Sequence, residues 1–193
     1  MMRNKNFFML VIIGMVIVAL GLFWGGQYAK VNSVYPASKS IQAKVGDVIN
    51  YEDFEFRIES SEYYTYNEMI ATKEDLIDYT EYENNFDKED LLFVFVRVSV
   101  KNRSENNTAI PLYNLAISSN TYSNGIDITT FAAINGSLEM LTPTFSANEE
   151  KEIVFTYTLL KSACFDNNSL PELELILSLY PERKSLLLPP ENL

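Results

Sequence analysis

Residues 91–102 read LLFVFVRVSVKN, and they constrain the fold more than any other stretch. Side chains on an extended strand alternate between two faces. Leu92, Val94, Val96, Val98 and Val100 therefore share one apolar face. The other face runs Phe93, Phe95, Arg97, Ser99, Lys101, apolar at its start and charged at its end. Such a strand is predicted to be central and partly covered on both sides.

Several other segments repeat the period of two. In DVINYEDFEFRIES, Phe54, Phe56 and Ile58 oppose Glu55, Arg57 and Glu59, and Val48, Ile49 and Tyr51 predict a short strand before them. KEIVFTYTLL places Ile153, Phe155, Tyr157 and Leu159 on one face, and ELELILSLY does the same for Leu173, Leu175, Leu177 and Leu179. LYNLAISS and IDITTFAAI read as strands around a tight turn at Asn124-Gly125, and SLEML as a further short strand. The expectation is an all-β protein, an Ig-like antiparallel β-sandwich of seven to nine strands, over residues 46–181. Residues 61–90 interrupt it as an insert rich in Tyr and acid, with a short helix through KEDLIDYTEY capped by Thr72. Residues 182–193 form a tail that adds at most an edge segment.

The chain begins differently. Residues 7–26 carry no charge, and twenty residues at 1.5 Å rise make a helix of about 30 Å, the thickness of a bilayer's hydrocarbon core. A signal-peptide apolar region is shorter, small residues are poorly placed for cleavage after Trp24, and no cysteine follows the run. This reads as an uncleaved transmembrane signal anchor. Arg3 and Lys5, in the basic tip 1–6, keep the N-terminus cytoplasmic and send the rest outside, with Trp24 and Tyr28 at the outer interface. Gly14, Gly21 and Gly25 share a helical stripe and are candidates for helix pairing, although glycine is also common in membrane helices. Residues 27–45 read as a stalk.

Composition narrows the chemistry. The formal charge is −11, and the first six residues contribute +2, so the remainder carries −13. A body so acidic repels nucleic acid and suits a protein or cationic partner. With no histidine, Ser-His-Asp and Cys-His catalysis and histidine-ligated metals are excluded. The single Cys164 cannot form an internal disulfide and reads as a small buried residue. An exported domain without disulfides is ordinary in a Gram-positive bacterium, where the sequons at Asn102, Asn106, Asn135 and Asn167 are chance. The acids Glu74, Asp75, Asp78, Glu81, Glu83, Asp87, Glu89 and Asp90 lack calcium-loop spacing and read as a solvated face. Nothing selects a catalytic carboxylate pair, and no metal or cofactor is expected. Tyr63, Tyr64, Tyr66, Tyr79 and Tyr82 are the candidate partner-binding residues, since tyrosine offers a large contact area with a polar tip; the alternative is that they pack beneath the insert.

The order of VGDVINYEDFEFRIES, an acidic insert, LFVFVRVSVKNRSENN, PLYNLAI, EEKEIVFTYTLL and LELILSLYP resembles exported Ig-like domains of unknown function in Gram-positive bacteria. These are similar to the telokin-like, immunoprotective extracellular family. The most recognisable element is V-x-V-x-V-x-N-x-S/T, here Val96, Val98, Val100, Asn102 and Ser104. Where such domains have Pro-Gly-Glu before the penultimate strand, this chain has Ala147, Asn148 and Glu149; asparagine also tolerates the left-handed conformation. The resemblance spans about residues 45–181 and implies a fold and an exported location. The functional expectation is a non-enzymatic, membrane-anchored binding or structural module of the bacterial envelope. The alternatives are a carboxylate-dependent cell-wall or glycan hydrolase, and an extracellular ligand or ion sensor that signals through helix pairing.

Overall fold

A computed structural model describes residues 3–34, 39–76, 85–119, 122–164 and 172–188. The chain divides into two units, Met1–Ser38 and Lys39–Leu193.

The first unit is one helix, α1 (Arg3–Val34). It continues beyond the uncharged run, so the expected stalk at 27–45 is helical as far as Val34 and extended from Lys39. Within it, Met9–Val34 is long and apolar enough to cross a membrane, and every side chain there is exposed.

The second unit is a β-sandwich. Its strands are β1 (Lys39–Ala43), β2 (Val48–Tyr51), β3 (Phe54–Thr65), β4 (Leu91–Asn102), β5 (Thr108–Ala109), β6 (Ala116–Ser118), β7 (Ser123–Gly125), β8 (Thr144–Phe145), β9 (Glu150–Leu160), β10 (Glu174–Ser178) and β11 (Glu182–Leu187). One sheet runs β1-β11-β10-β6-β7 and the facing sheet β2-β3-β4-β9, with β5-β8 as a small pair. The expected antiparallel pairing holds except that β1 and β11 are parallel. The tail at 182–193 was expected at most at an edge; instead β11 sits inside its sheet, between β1 and β10.

The core follows the alternation. Leu92, Val94, Val96, Val98 and Val100 on β4 and Ile153, Phe155, Tyr157 and Leu159 on β9 are fully buried between the sheets. On the other face of β4, Leu91, Phe93 and Phe95 join Tyr66 and Met69 in a second apolar cluster. Tyr66 and Met69 belong to helix α2 (Tyr66–Lys73), which supplies the outer cover that β4 demands. Leu179 departs from the expected face: it lies beyond β10 and is exposed.

Three segments differ from the pattern reading. β3 continues to Thr65, because a bulge between Ile58 and Ser60 shifts the alternation by one residue and hides the strand. The first helix of the insert therefore starts at Tyr66, not after Thr72. Thr65 caps it: its amide and hydroxyl donate to Glu68 Oε2 at 2.7 Å, and its hydroxyl oxygen accepts from the Glu68 amide at 3.4 Å, a reciprocal capping box. Thr72 instead donates to the Glu68 carbonyl from within the helix. IDITTFAAI is not a strand but mainly helix α3 (Ile128–Asn135). Asp127 caps its N-terminus by accepting from the Thr130 amide at 3.1 Å, and Gly136 ends it at φ 78°. Asn124 and Gly125 lie in β7, so the hairpin reverses before them, and SLEML contains a 3-10 turn at Leu138–Leu141.

Helix α3 runs along the outer edge of β9. Asn135 donates to the Val154 carbonyl (2.8 Å) and accepts from the Val154 amide (3.1 Å), as a neighbouring strand would. Asp127 N–H donates to the Thr156 carbonyl at 2.8 Å, and Asn124 Nδ2 to that of Thr158 at 2.5 Å. The edge is thus closed to pairing with another chain.

The V-x-V-x-V-x-N-x-S element has a physical basis. Asn102 is fully buried. Its amide donates to the carbonyls of Asn106 (2.8 Å) and Ser146 (3.0 Å), and its side-chain oxygen accepts from Ser104 N–H (2.9 Å). The Asn102 backbone N–H donates to the Glu149 carbonyl at 2.9 Å. One side chain thereby clamps the loop after β4 to the turn before β9, where Asn148 holds φ 60° as expected of a left-handed position. Replacing Asn102 with alanine removes these side-chain bonds from a fully buried position, and the expected loss is about 2–3 kcal/mol in urea unfolding. A loss below about 0.5 kcal/mol would show that the clamp is redundant.

Two buried groups link stability to alkaline pH. Tyr157 is wholly buried, its hydroxyl has no hydrogen-bond partner, and desolvation pushes its ionisation well above the usual tyrosine range. Burial also pushes the Cys164 thiol up to about 11. Both stay protonated in the fold while the unfolded chain releases its protons near pH 8.5 to 10. The stabilisation is full below that range and is lost as pH rises through the raised values. The urea midpoint is expected to fall between pH 8 and pH 10.5, and Tyr157→Phe to reduce that fall without lowering stability at pH 8. An identical pH profile for the variant would contradict this account.

Candidate functional site

The two ends of the sandwich carry different things. At one end, Lys39 pairs with Glu182, and Lys184 Nζ reaches the Asn50 carbonyl at 2.8 Å, just before the β2–β3 turn. β3 then runs twelve residues to Thr65, roughly 36 Å from first to last at the rise of a strand. The far end gathers Thr65, Leu92 and Leu159 in register, and with them α2 and the end of the insert.

Two adjoining grooves open at this far end and share Phe86. One, of about 420 Å³, is walled by Phe86, Leu91, Tyr122, Ile128 and Leu160. The other, of about 860 Å³, is more polar and is bordered by Thr65, Asn67, Lys88, Glu89 and Lys161. Phe86 is 46% exposed and Ile128 55%, so the grooves present large apolar groups to solvent.

The approach to the grooves is built from capped turns. Asp87 accepts from the Glu89 amide at 3.1 Å and starts the 3-10 turn Lys88–Asp90. Asp90 then accepts from the Ser162 amide (2.6 Å) and hydroxyl (2.5 Å), tying this turn to the helical turn Lys161–Cys164. Two of the clustered acids are therefore committed to backbone capping. Among the described residues, no three His, Cys, Asp or Glu side chains come together as a metal site. Asp78, Glu81 and Glu83 lie outside the described residues.

The candidate tyrosines separate. Tyr63 is 6% exposed and packs in the inter-sheet core, and Tyr66 is 3% exposed beneath α2. Neither presents a recognition surface; β3 points Tyr63 inward because the bulge at Ile58 has reversed its phase. Tyr64 faces outward but is half-buried, with its ring 5.4 Å from Phe95, Lys73 Nζ 5.2 Å above it and its hydroxyl donated to Glu62. Tyr79 and Tyr82 lie outside the described residues. Gly14, Gly21 and Gly25 are exposed on α1, with open space around each. Cys164 is buried and its thiol donates to the Leu160 carbonyl at 3.0 Å.

Phe86 and Ile128 escaped pattern reading. Phe86 is a lone aromatic in ENNFDKED, and Ile128 was assigned to a strand face rather than to the exposed start of a helix. The Asp127-x-x-Thr130 spacing was the available signal for that helix.

An apolar helix of membrane length and a mixed-sheet β-sandwich with flanking helices define the class of protein. Residues 38–184 match the family described as Domain of unknown function (DUF5028), and the chain belongs to that family. No curated protein matches the chain. Among solved structures, it is similar to a conserved hypothetical protein from Bacillus anthracis, with 11% identity over 74% of this chain and 94% of the other at a TM-score of 0.48. It is also similar to an uncharacterised β-sandwich protein from Clostridium difficile, with 10% identity over 79% and 96% and a TM-score of 0.45. A third, a protein of unknown function from Listeria monocytogenes, shows 14% identity over 79% and 82% with a TM-score of 0.45.

Tyr66→Ala removes a core side chain, and the expected cost is about 3–5 kcal/mol in urea unfolding, like other large-to-small aromatic changes. Phe86→Ala, at a half-exposed position, is expected to cost less than about 1 kcal/mol. The reverse order would mean that Tyr66 is the exposed residue and Phe86 the buried one.

Proposed function

We propose that this protein is a membrane-tethered, non-enzymatic module. Helix α1 crosses the cell membrane with Arg3 and Lys5 on the cytoplasmic side, and the β-sandwich stands outside the cell and binds an envelope protein through the grooves around Phe86. A relation to the telokin-like, immunoprotective extracellular family belongs to the same reading, as does an origin in a Gram-positive bacterium.

The observation that carries it is the full exposure of Met9–Val34. An apolar helix with no protein cover is stable in lipid, where its backbone hydrogen bonds are already satisfied internally. The basic residues Arg3 and Lys5 support the orientation. The position of the grooves supports the binding role. They open at the end of the sandwich opposite Lys39, the first residue of the folded domain, and gather exposed apolar groups there. Half-exposed aromatic and aliphatic groups beside polar rims are the usual make-up of a protein-binding patch.

Topology is tested with a C-terminally tagged full-length chain in a Gram-positive host. The expected result is a protein that resists carbonate extraction from membranes and loses its tag when intact protoplasts are treated with protease. A tag protected in intact protoplasts would overturn the orientation, and a chain found mainly in the medium would overturn the anchor. For the binding surface, a photo-crosslinker at Ile128 is compared with one at Lys101, at the other end of β4. Adducts at Ile128 that vanish in Phe86→Asp support the grooves; equal adducts at both positions would remove them.

A further inference from the structure

The end of the sandwich that carries Lys39 has its own exposed apolar feature. β10 and β11 are joined by residues 179–181, where Leu179 is 69% exposed and Tyr180 60%. Leu179 continues the alternation of Leu173, Leu175 and Leu177, all buried, yet it points into solvent because β10 has ended. No packing requirement of the domain explains two large apolar side chains at this turn.

Strand register places the turn. β1 and β11 are parallel neighbours with Lys39 opposite Glu182. Tyr180 is two residues before Glu182, so the turn lies beside the point where the chain enters the domain. Only residues 35–38 separate Lys39 from Val34, the end of α1. Covalent geometry limits the five links from Val34 to Lys39 to about 18 Å. The turn is thus close along the chain to the end of α1, through its register with Lys39.

We propose that the turn at residues 179–181 seats in the lipid–water interface of the bilayer that α1 crosses, with Leu179 and Tyr180 as its contacts. This inference rests on the reading that α1 spans the membrane. The side chains suit the site: a leucine reaches the acyl boundary, and tyrosine is enriched at membrane interfaces, where its ring is buried and its hydroxyl stays wet. The charges that β11 carries beside the turn are paired within the domain. Lys39 is exposed, Arg183 is paired with Glu174 at 2.9 Å, and Lys184 lies 3.7 Å from Glu182 and binds the Asn50 carbonyl. The domain as a whole is acidic, so the contact draws on apolar insertion rather than on attraction to anionic lipid.

The test uses the full-length chain in phosphatidylcholine vesicles doped with a shallow nitroxide lipid. In a Cys164→Ala background, single cysteines replace Val18, Asn67 or Tyr180 and carry an environment-sensitive fluorophore. Val18 lies in α1, and Asn67 borders the groove at the far end of the domain. Quenching at position 180 is expected to exceed that at position 67 by roughly twofold or more, with blue-shifted emission. Lipid-shielded emission at position 18 with equal, water-like signals at 67 and 180 would overturn the inference while leaving the anchor intact. Water-like emission at position 18 would instead overturn the membrane-spanning reading, and this inference with it. An unchanged thermal unfolding midpoint in Tyr180→Cys confirms that the labelled fold is the native one.

Discussion

The architecture depends on the double burial of one strand. β4 is paired on both sides, by β3 and β9, and its even-numbered apolar residues face the second sheet. Its first half is apolar on the other face as well, through Leu91, Phe93 and Phe95. A sheet cannot leave that much apolar surface in water, so a third layer must form over it. α2 meets the demand, with Ile134 of α3 packed against the same cluster. Where β4 turns polar, at Arg97, Ser99 and Lys101, the cover stops and cross-strand ion pairs such as Arg97–Glu152 take over. These exposed pairs keep the sheet face soluble and contribute little to stability.

Polar side chains decide how the apolar layers are joined. Asn102, Asp127 and Asn135 each bond to backbone groups that would otherwise be stranded by the end of a strand or the edge of a sheet. Asn102 and Asn135 also lie in glycosylation sequons, yet both side chains are engaged within the fold. The Tyr157 hydroxyl is one of several exceptions, a polar atom placed in the core without a partner. Its ring fills space between the sheets, which is the contribution of that residue.

The two ends of the sandwich differ in what they expose. The end with Lys39 carries exposed Leu179 and Tyr180, and the end with Thr65 and Leu160 carries the grooves around Phe86. A strand of twelve residues keeps the two apart. The family match beginning at residue 38 coincides with the first strand of the sandwich, so the shared part is the folded domain and leaves out the apolar helix.

By itself the sequence determined those features that depend on local periodicity and length. These are the apolar span, the β-sandwich, the inward faces of β4, β9 and the first part of β3, the burial of Cys164 and the left-handed turn at Asn148. Each follows from a repeat or a residue preference that acts over a few positions. Only the tertiary structure decided the rest. The bulge at Ile58 reversed the phase of β3 and turned Tyr63 from a candidate ligand contact into core. The capping of Asp127 and the pairing of Asn135 with Val154 made a helix of residues that read as a strand. The parallel pairing of β1 with β11 brought residues 39 and 182 together from opposite ends of the domain. A bulge, a capped helix on a sheet edge and a pairing between distant strands are stabilised by partners far away in the chain, and no local pattern records such partners.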